Sequence, residues 1–208
     1  MALIIVAGAS GQHASVVYEA AVLSGTAVLG FATIDGSPDE LLGCDALGPI
    51  RALLTSRDLD GHEFIVACGD NALRMNLTEQ LVAKGLSLAS VRHPAAIVSP
   101  SSHVGPGSTI LAGAIVGPRA TLGRGVIINH AASVDHDCRV EDFVNLSPGA
   151  RLGGGARAGH GVFVGINAAI LPGVHLGERA VIGAGAVVIS DVKPGLTVVG
   201  VPGRALRQ

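Results

Sequence analysis

The sequence predicts two folds in tandem: an α/β unit over residues 1–93 and an all-β, parallel β-helical unit over residues 94–208. Three observations carry this. From Val98 to Val188 an aliphatic residue recurs at every sixth position without insertion or deletion; fifteen of the sixteen places hold Val, Ile or Leu, and Ala158 is the exception. Two residues before each stands a small side chain, as in Ala114, Ala120, Ala132, Cys138 and Ala150. Ahead of Val98 the period is absent, and the chain opens instead with an apolar run, a glycine loop and a helical pattern.

A period of six does not fit the 3.6-residue helix, but a parallel β-helix of hexapeptide repeats requires it. Each hexad is then one short strand plus a turn, and three hexads close a triangular coil of 18 residues. Residues 18 apart become neighbours along the prism, separated by about 4.8 Å, and the repeats amount to about five coils, or roughly 24 Å. The aliphatic residue fills the axis and the small one fits beside it. Gly follows the aliphatic residue in half of the hexads, for example at Gly105, Gly117 and Gly153, where it is expected to permit the corner conformation. Composition agrees: 30 Gly, 49% hydrophobic residues, 2% aromatics and no Trp suit a narrow aliphatic prism.

Leu3 to Ala7 reads as a strand, Gly8-Ala9-Ser10-Gly11 as a loop and His13 to Leu23 as a helix. Strands are expected at Ala27–Ala32 and Phe64–Ala67, a helix over Ala72–Lys84 and a short strand around Leu88–Val91, which together suggest a small Rossmann-like unit. The stretch from Asp35 to Asp60 has no clear pattern. His93-Pro94 marks the join, since a residue before Pro is pushed away from helix. The loop ending in Gly11 can receive an anion at a helix N-terminus, or can be glycine-rich for steric reasons alone. Likewise Gly69-Asp70-Asn71, with Arg74 one turn on, reads as a helix cap or as the second wall of a ligand cleft at the strand ends.

A net charge of −2 with no basic patch gives no footprint for nucleic acid. Cys44, Cys68 and Cys138 are odd in number and widely spaced, as reduced thiols of a cytoplasmic protein would be. The opening apolar run is too short for a signal peptide and no segment is long enough to span a membrane.

Within the repeats His130, His136 and His160 share one hexad position, which is a corner exposed to solvent. Any one of them reads as a solvated corner residue. Asp135-His136-Asp137 is less bland, because a flanking carboxylate orients imidazole and favours its charged form, as a general base needs. Gly154 is His136 plus 18, so its N–H could serve an oxygen beside the imidazole, although corner glycines also have a structural role. Pro148, Ile166 and Ala184 stack on another strip, joined by His130, and would suit a thin flexible chain lying along the prism.

The tandem hexads resemble the left-handed β-helix of acyl-CoA-dependent acyltransferases; the handedness comes from that resemblance, since crossovers are usually right-handed. The whole chain resembles the bacterial sialic-acid O-acetyltransferase and nucleotide-aminosugar N-acetyltransferase group, through Gly8-Ala9-Ser10-Gly11, Gly69-Asp70-Asn71, His93-Pro94-Ala95-Ala96, Ile128-Asn129-His130, Asp135-His136-Asp137-Cys138, Ser147-Pro148-Gly149-Ala150 and Gly200-Val201-Pro202-Gly203-Arg204. The resemblance implies a homotrimer with acetyl-CoA in the cleft between adjacent prisms and a nucleotide-linked amino sugar on the N-terminal unit. It implies His136 as the base, Asp137 as its acidic neighbour, Gly154 as a backbone contact to the thioester, and Ile166 and Ala184 as cofactor contacts. Ser10, Gly11, Gln12, Asp35, Asn71 and Asn145 fall where the family contacts its sugar substrate, and no metal is required.

Three positions depart from the family's pattern. Gln12, not His, follows Gly11; Asp35 stands alone where a pair of acids is common; Asn145 replaces a second His and cannot act as an acid or base. Other readings are O-acetylation of sialic acid or a related sugar, a non-catalytic nucleotide-sugar-binding scaffold, and a zinc hydratase using His130, His136 and His160 across a trimer interface. Modulo 18 those three histidines fall on three different strips.

Overall fold

The computed structural model describes residues 2–7, 11–34, 43–55 and 61–206, and the chain divides into two compact units, Met1–Pro94 and Ala95–Gln208. In the first, β1 (Leu3–Ala7), α1 (Gln12–Leu23), β2 (Val28–Thr33), β3 (Ala46–Pro49), α2 (Ile50–Leu53), β4 (Glu63–Ala67), α3 (Asn71–Ala83) and β5 (Ser87–Leu88) follow in order. The strands form one parallel sheet in the order β3-β2-β1-β4-β5. All five residues of β1 are buried, because the sheet has an apolar layer on each face and its central strand must be apolar throughout. α1 buries Ala14, Val17, Ala20 and Ala21. The stretch without a sequence pattern holds β3 and the four-residue α2; both are short and neither repeats long enough to show a period.

The second unit is a left-handed parallel β-helix built from two-residue strands on three faces. The first face stacks Ile97–Val98, Ile115–Val116, Ser133–Val134, Arg151–Leu152, Ala169–Ile170 and Val187–Val188. His103–Val104, Thr121–Leu122, Arg139–Val140, Arg157–Ala158 and His175–Leu176 form the second face. The third runs through Thr109–Ile110, Ile127–Ile128, Asn145–Leu146, Phe163–Val164 and Val181–Ile182. Pairing follows the 18-residue register, as in Ile115 with Ser133 and Val116 with Val134, and bonds such as Ser133 N to Ala150 O at 2.9 Å tie each coil to the next. Val134, Leu146, Ala150 and Ala156 are fully buried on the axis.

The corner glycines act differently from the sequence expectation. The left-handed turn residue stands three places after the aliphatic one, at Gly155 (φ 68°) and Gly173 (φ 73°) but also at Arg119 (φ 58°), Asp137 (φ 59°) and Phe143 (φ 59°). The glycine immediately after the aliphatic residue has ordinary φ. It is needed because a Cβ on Gly117 would lie 2.8 Å from the Asp135 carbonyl carbon and the His136 nitrogen of the next coil. Among the described residues no helix is long and apolar enough to cross a membrane.

Candidate active site

His136 and Asp137 occupy the corner between the first and second faces of the prism. Asp135 Oδ1 accepts from the His136 amide at 2.7 Å and pins the start of the turn. Asp137 then takes the left-handed conformation, which swings its side chain back beside the imidazole: His136 Nδ1 and Asp137 Oδ2 are 2.8 Å apart. Arg119 closes on the same carboxylate in a fork, Nε to Oδ1 at 2.6 Å and Nη2 to Oδ2 at 2.8 Å. That guanidinium, and after it the imidazole, hold the Asp137 carboxyl well below the usual carboxylate range. An ionised carboxylate only accepts, so Nδ1 must be the donor, and Nε2 of the neutral ring is left with its lone pair.

The Nε2 edge lies over Gly154, one coil on. A Cβ at Gly154 would sit 2.6 Å from both Nε2 and Cε1, so the ring occupies the space a side chain would need. The carbonyls at this corner are used, with Gly155 N bonding His136 O at 2.9 Å and Gly173 N bonding Gly154 O at 3.0 Å. The Gly154 N–H donates to nothing among the described residues. The corner thus pairs a basic nitrogen with an uncommitted backbone donor. Cys138, next along the chain, turns into the core with its Sγ against Gly153 O at 3.2 Å, and burial pushes its thiol up, which is unlike a nucleophile.

Ile166 and Ala184 are exposed, but on the corner between the third and first faces, away from His136 in the same chain. Asn145 is on the third face, buried to 5% exposure between Ile127 and Phe163 in the strand ladder. His130, His136 and His160 stand at three different corners, and among the described residues no three His, Cys, Asp or Glu side chains converge on a metal site. A groove of about 610 Å³ around His103, Arg139 and Glu141 lies on the second face and includes none of the predicted site residues.

In the first unit the strand order reverses between β1 and β4, which is where open α/β sheets form their ligand crevice. Gly11 stands at the C-terminal edge of β1 with φ 65° as the cap of α1, followed by exposed Gln12. Asn71 opens α3 after β4. Asp70 caps this helix through Oδ1, which accepts from Leu73 N at 2.7 Å. Arg74, 1% exposed and with its pKa pushed down to about 10 by burial, donates to Cys68 O at 3.0 Å and to Asn71 Oδ1 at 2.9 Å. Asn71 therefore turns its oxygen toward Arg74. Ser10 and Asp35 lie outside the described residues.

Arg119 was not anticipated from the sequence. Its signal was available by subtraction, since 119 is 137 minus 18, so the two must be neighbours on one corner strip.

Residues 3–81 match the PglD N-terminal domain family, and residues 159–190 match the bacterial transferase hexapeptide family. The chain is 34% identical to a histidine-to-asparagine variant of perosamine N-acetyltransferase from Caulobacter crescentus, solved with CoA and GDP-perosamine; 100% of this chain and 98% of that one align with a TM-score of 0.95. It is 36% identical to the acetyltransferase domain of PglB from Neisseria gonorrhoeae, over 99% of this chain and 100% of that one, with a TM-score of 0.92. A 2,3,4,5-tetrahydropyridine-2,6-dicarboxylate N-acetyltransferase of Staphylococcus aureus is 45% identical over 47 residues only, 23% of this chain and 20% of that protein. The chain matches about a fifth of the length of such curated relatives. With an α/β unit of the PglD type, an uninterrupted hexad prism and full-length similarity above 30% identity, the chain belongs to the hexapeptide-repeat sugar acetyltransferases.

Proposed function

We propose that the protein transfers the acetyl group of acetyl-CoA to the amino group of a nucleotide-linked sugar, with His136 as general base. The observation that carries this reading is the His136 corner. Its Nδ1 is anchored on Asp137, and its Nε2 edge lies over a glycine with an unused N–H. Acetyl-CoA supplies an acyl group already activated as a thioester. Nε2 accepts the proton that the sugar amine loses as its nitrogen bonds to the carbonyl carbon. Gly154 N–H donates to the oxygen that becomes negative in the tetrahedral species. As the C–S bond breaks, the imidazolium returns the proton to the departing thiolate.

A single chain does not complete this site, because Ile166 and Ala184 are on a different corner from His136. The first face separates those two corners and exposes Ile97 (66%) and Ile115 (43%). Three copies meeting through that face would set the His136 corner of one against the Ile166 corner of the next and close the ring. We therefore assign a homotrimer, with acetyl-CoA between prisms and Asn145 facing the acceptor. Gly11, Gln12 and Asn71 form the nucleotide-sugar cradle at the β1–β4 crevice, and Ser10 and Asp35 are assigned to the sugar substrate by family resemblance alone. Binding of GDP-perosamine by the Caulobacter relative supports that substrate class. Cys44, Cys68 and Cys138, odd in number and widely spaced, support a cytoplasmic site of action.

Acetyl-CoA consumption against UDP-, GDP- and dTDP-linked amino sugars and free sialic acid, with product masses, tests the reading. Turnover on one nucleotide amino sugar is expected. Acetylation of sialic acid alone would move the protein to O-acetyl transfer, and neither turnover nor acetyl-CoA binding would leave a scaffold.

A further inference from the structure

We propose that Arg119 is a positioning residue for the transfer: its fork on Asp137 fixes the carboxylate plane so that Oδ2 meets His136 Nδ1 and the Nε2 edge stays over Gly154. The inference rests on His136 as the base. Asp137 is 44% exposed, and an exposed carboxylate without a partner moves among rotamers. A hydrogen bond to the neighbouring imidazole alone would be too weakly held to set a ring orientation in water.

Arg119 supplies what is missing. It holds the same hexad place as Asp137, one coil earlier, and both backbones are left-handed, at φ 58° and 59°, so both side chains leave the corner in the same direction. Its own amide donates to Ser101 Oγ at 3.2 Å, one coil earlier again, which ties the turn that carries it. Two contacts of 2.6 and 2.8 Å from one planar guanidinium fix both the position and the plane of the carboxylate. Oδ2 is the shared atom, accepting from Arg119 Nη2 and from His136 Nδ1. A lysine could restore charge at this place, but as a point donor it cannot set the plane.

The experiment uses the full chain in four forms: wild type, Arg119→Gln, Arg119→Lys and Arg119→Gln/Asp137→Asn, with Asp137→Asn alone as reference and melting curves to verify folding. The ring nitrogens of 15N-labelled His136 are read by NMR without any substrate, and kcat and KM are read with the acceptor the panel identifies. The neutral ring of the wild type is expected to carry its proton on Nδ1, and Arg119→Gln to show a mixture of the two tautomers. Arg119→Gln should lower kcat about tenfold, a fraction of the 10²–10⁴ that a placed general base contributes. KM for both substrates should hold, Arg119→Lys should recover only part of the loss, and the double variant should be no slower than Asp137→Asn. An unchanged tautomer and kcat in Arg119→Gln, a loss confined to KM, or losses that multiply in the double variant would overturn the proposal. Turnover surviving in His136→Ala would instead overturn the base assignment, so the two failures are separable.

Discussion

His136 and His160 hold the same place in hexads four repeats apart, and each has an arginine and an aspartate close by. At the first corner Arg119 grips Asp137, and Asp137 reaches the imidazole at 2.8 Å. At the second, Arg124 lies 5.3 Å over the Phe143 ring and 3.6 Å from Asp142, whose Oδ1 caps the Arg124 amide at 2.7 Å. Phe143 meets the His160 ring edge-on at 5.7 Å, and Glu141 caps the His160 amide at 2.9 Å. One coil further on stands Gly154 in the first case and Glu178 in the second. The chemistry of a corner is therefore set by its neighbours along the prism axis, not by the histidine or its hexad place.

The largest contrast is in turnover. His136→Ala should cost about 10²–10⁴ in kcat, the range a general base supplies, while His160→Ala keeps kcat near the wild-type value. Equal losses in steady-state assays would erase the distinction between the corners. Gly154→Ala comes next. The new methyl group would start 2.6 Å from the imidazole, so the ring must leave its place over the backbone N–H. A displacement of that kind costs on the order of 100-fold in kcat. A Gly154→Ala enzyme with normal kcat would show that the ring does not work from this position.

Phe143→Ala acts in the opposite way. Phe143 is 1% exposed and packs between Arg124 and His160, so its truncation should cost about 3–5 kcal/mol of stability with kcat per folded molecule unchanged. A selective loss of kcat without a drop in Tm would mean that the second corner takes part in the chemistry.

Much of this was legible from spacing. A strict period of six, closed in threes, gives the 18-residue register, and with it the place of Gly154 beside His136 and the separation of Ile166 and Ala184 from both. The same subtraction places Arg119 one coil before Asp137, but the hexad pattern does not single it out, and its contact with Asp137 depends on two left-handed turns. The residue type at 119 does not announce such a turn, and half of the equivalent places hold glycine. For the same reason the sequence pattern presents the glycines after the aliphatic residues as turn formers. Their role is clearance for the next coil, which a one-dimensional pattern does not contain. In the first unit the switch point was implied by the strand–loop–helix opening, whereas β3 and α2 are too short to carry any period.

The smallest effect concerns the ion pair at the first corner. Arg119, and then His136, lower the Asp137 pKa below that of an unfolded carboxylate, so the folded state favours the anion. The sign follows from linkage: a lowered folded pKa adds stability above the unfolded value and loses it as pH falls through the folded one. Asp137 thus stays ionised across about pH 5–8, where histidines titrate, and acid inhibition in that range is not due to its protonation. The Tm of the wild type should exceed that of Asp137→Asn above about pH 5, and the gap should narrow below about pH 4, the ordinary carboxylate range. Because the pair is exposed, added salt should shrink the gap at neutral pH as well. A gap that instead widened below about pH 4 would mean that Asp137 is held in its protonated form, and Nδ1 of His136 would then lose the acceptor on which the tautomer depends.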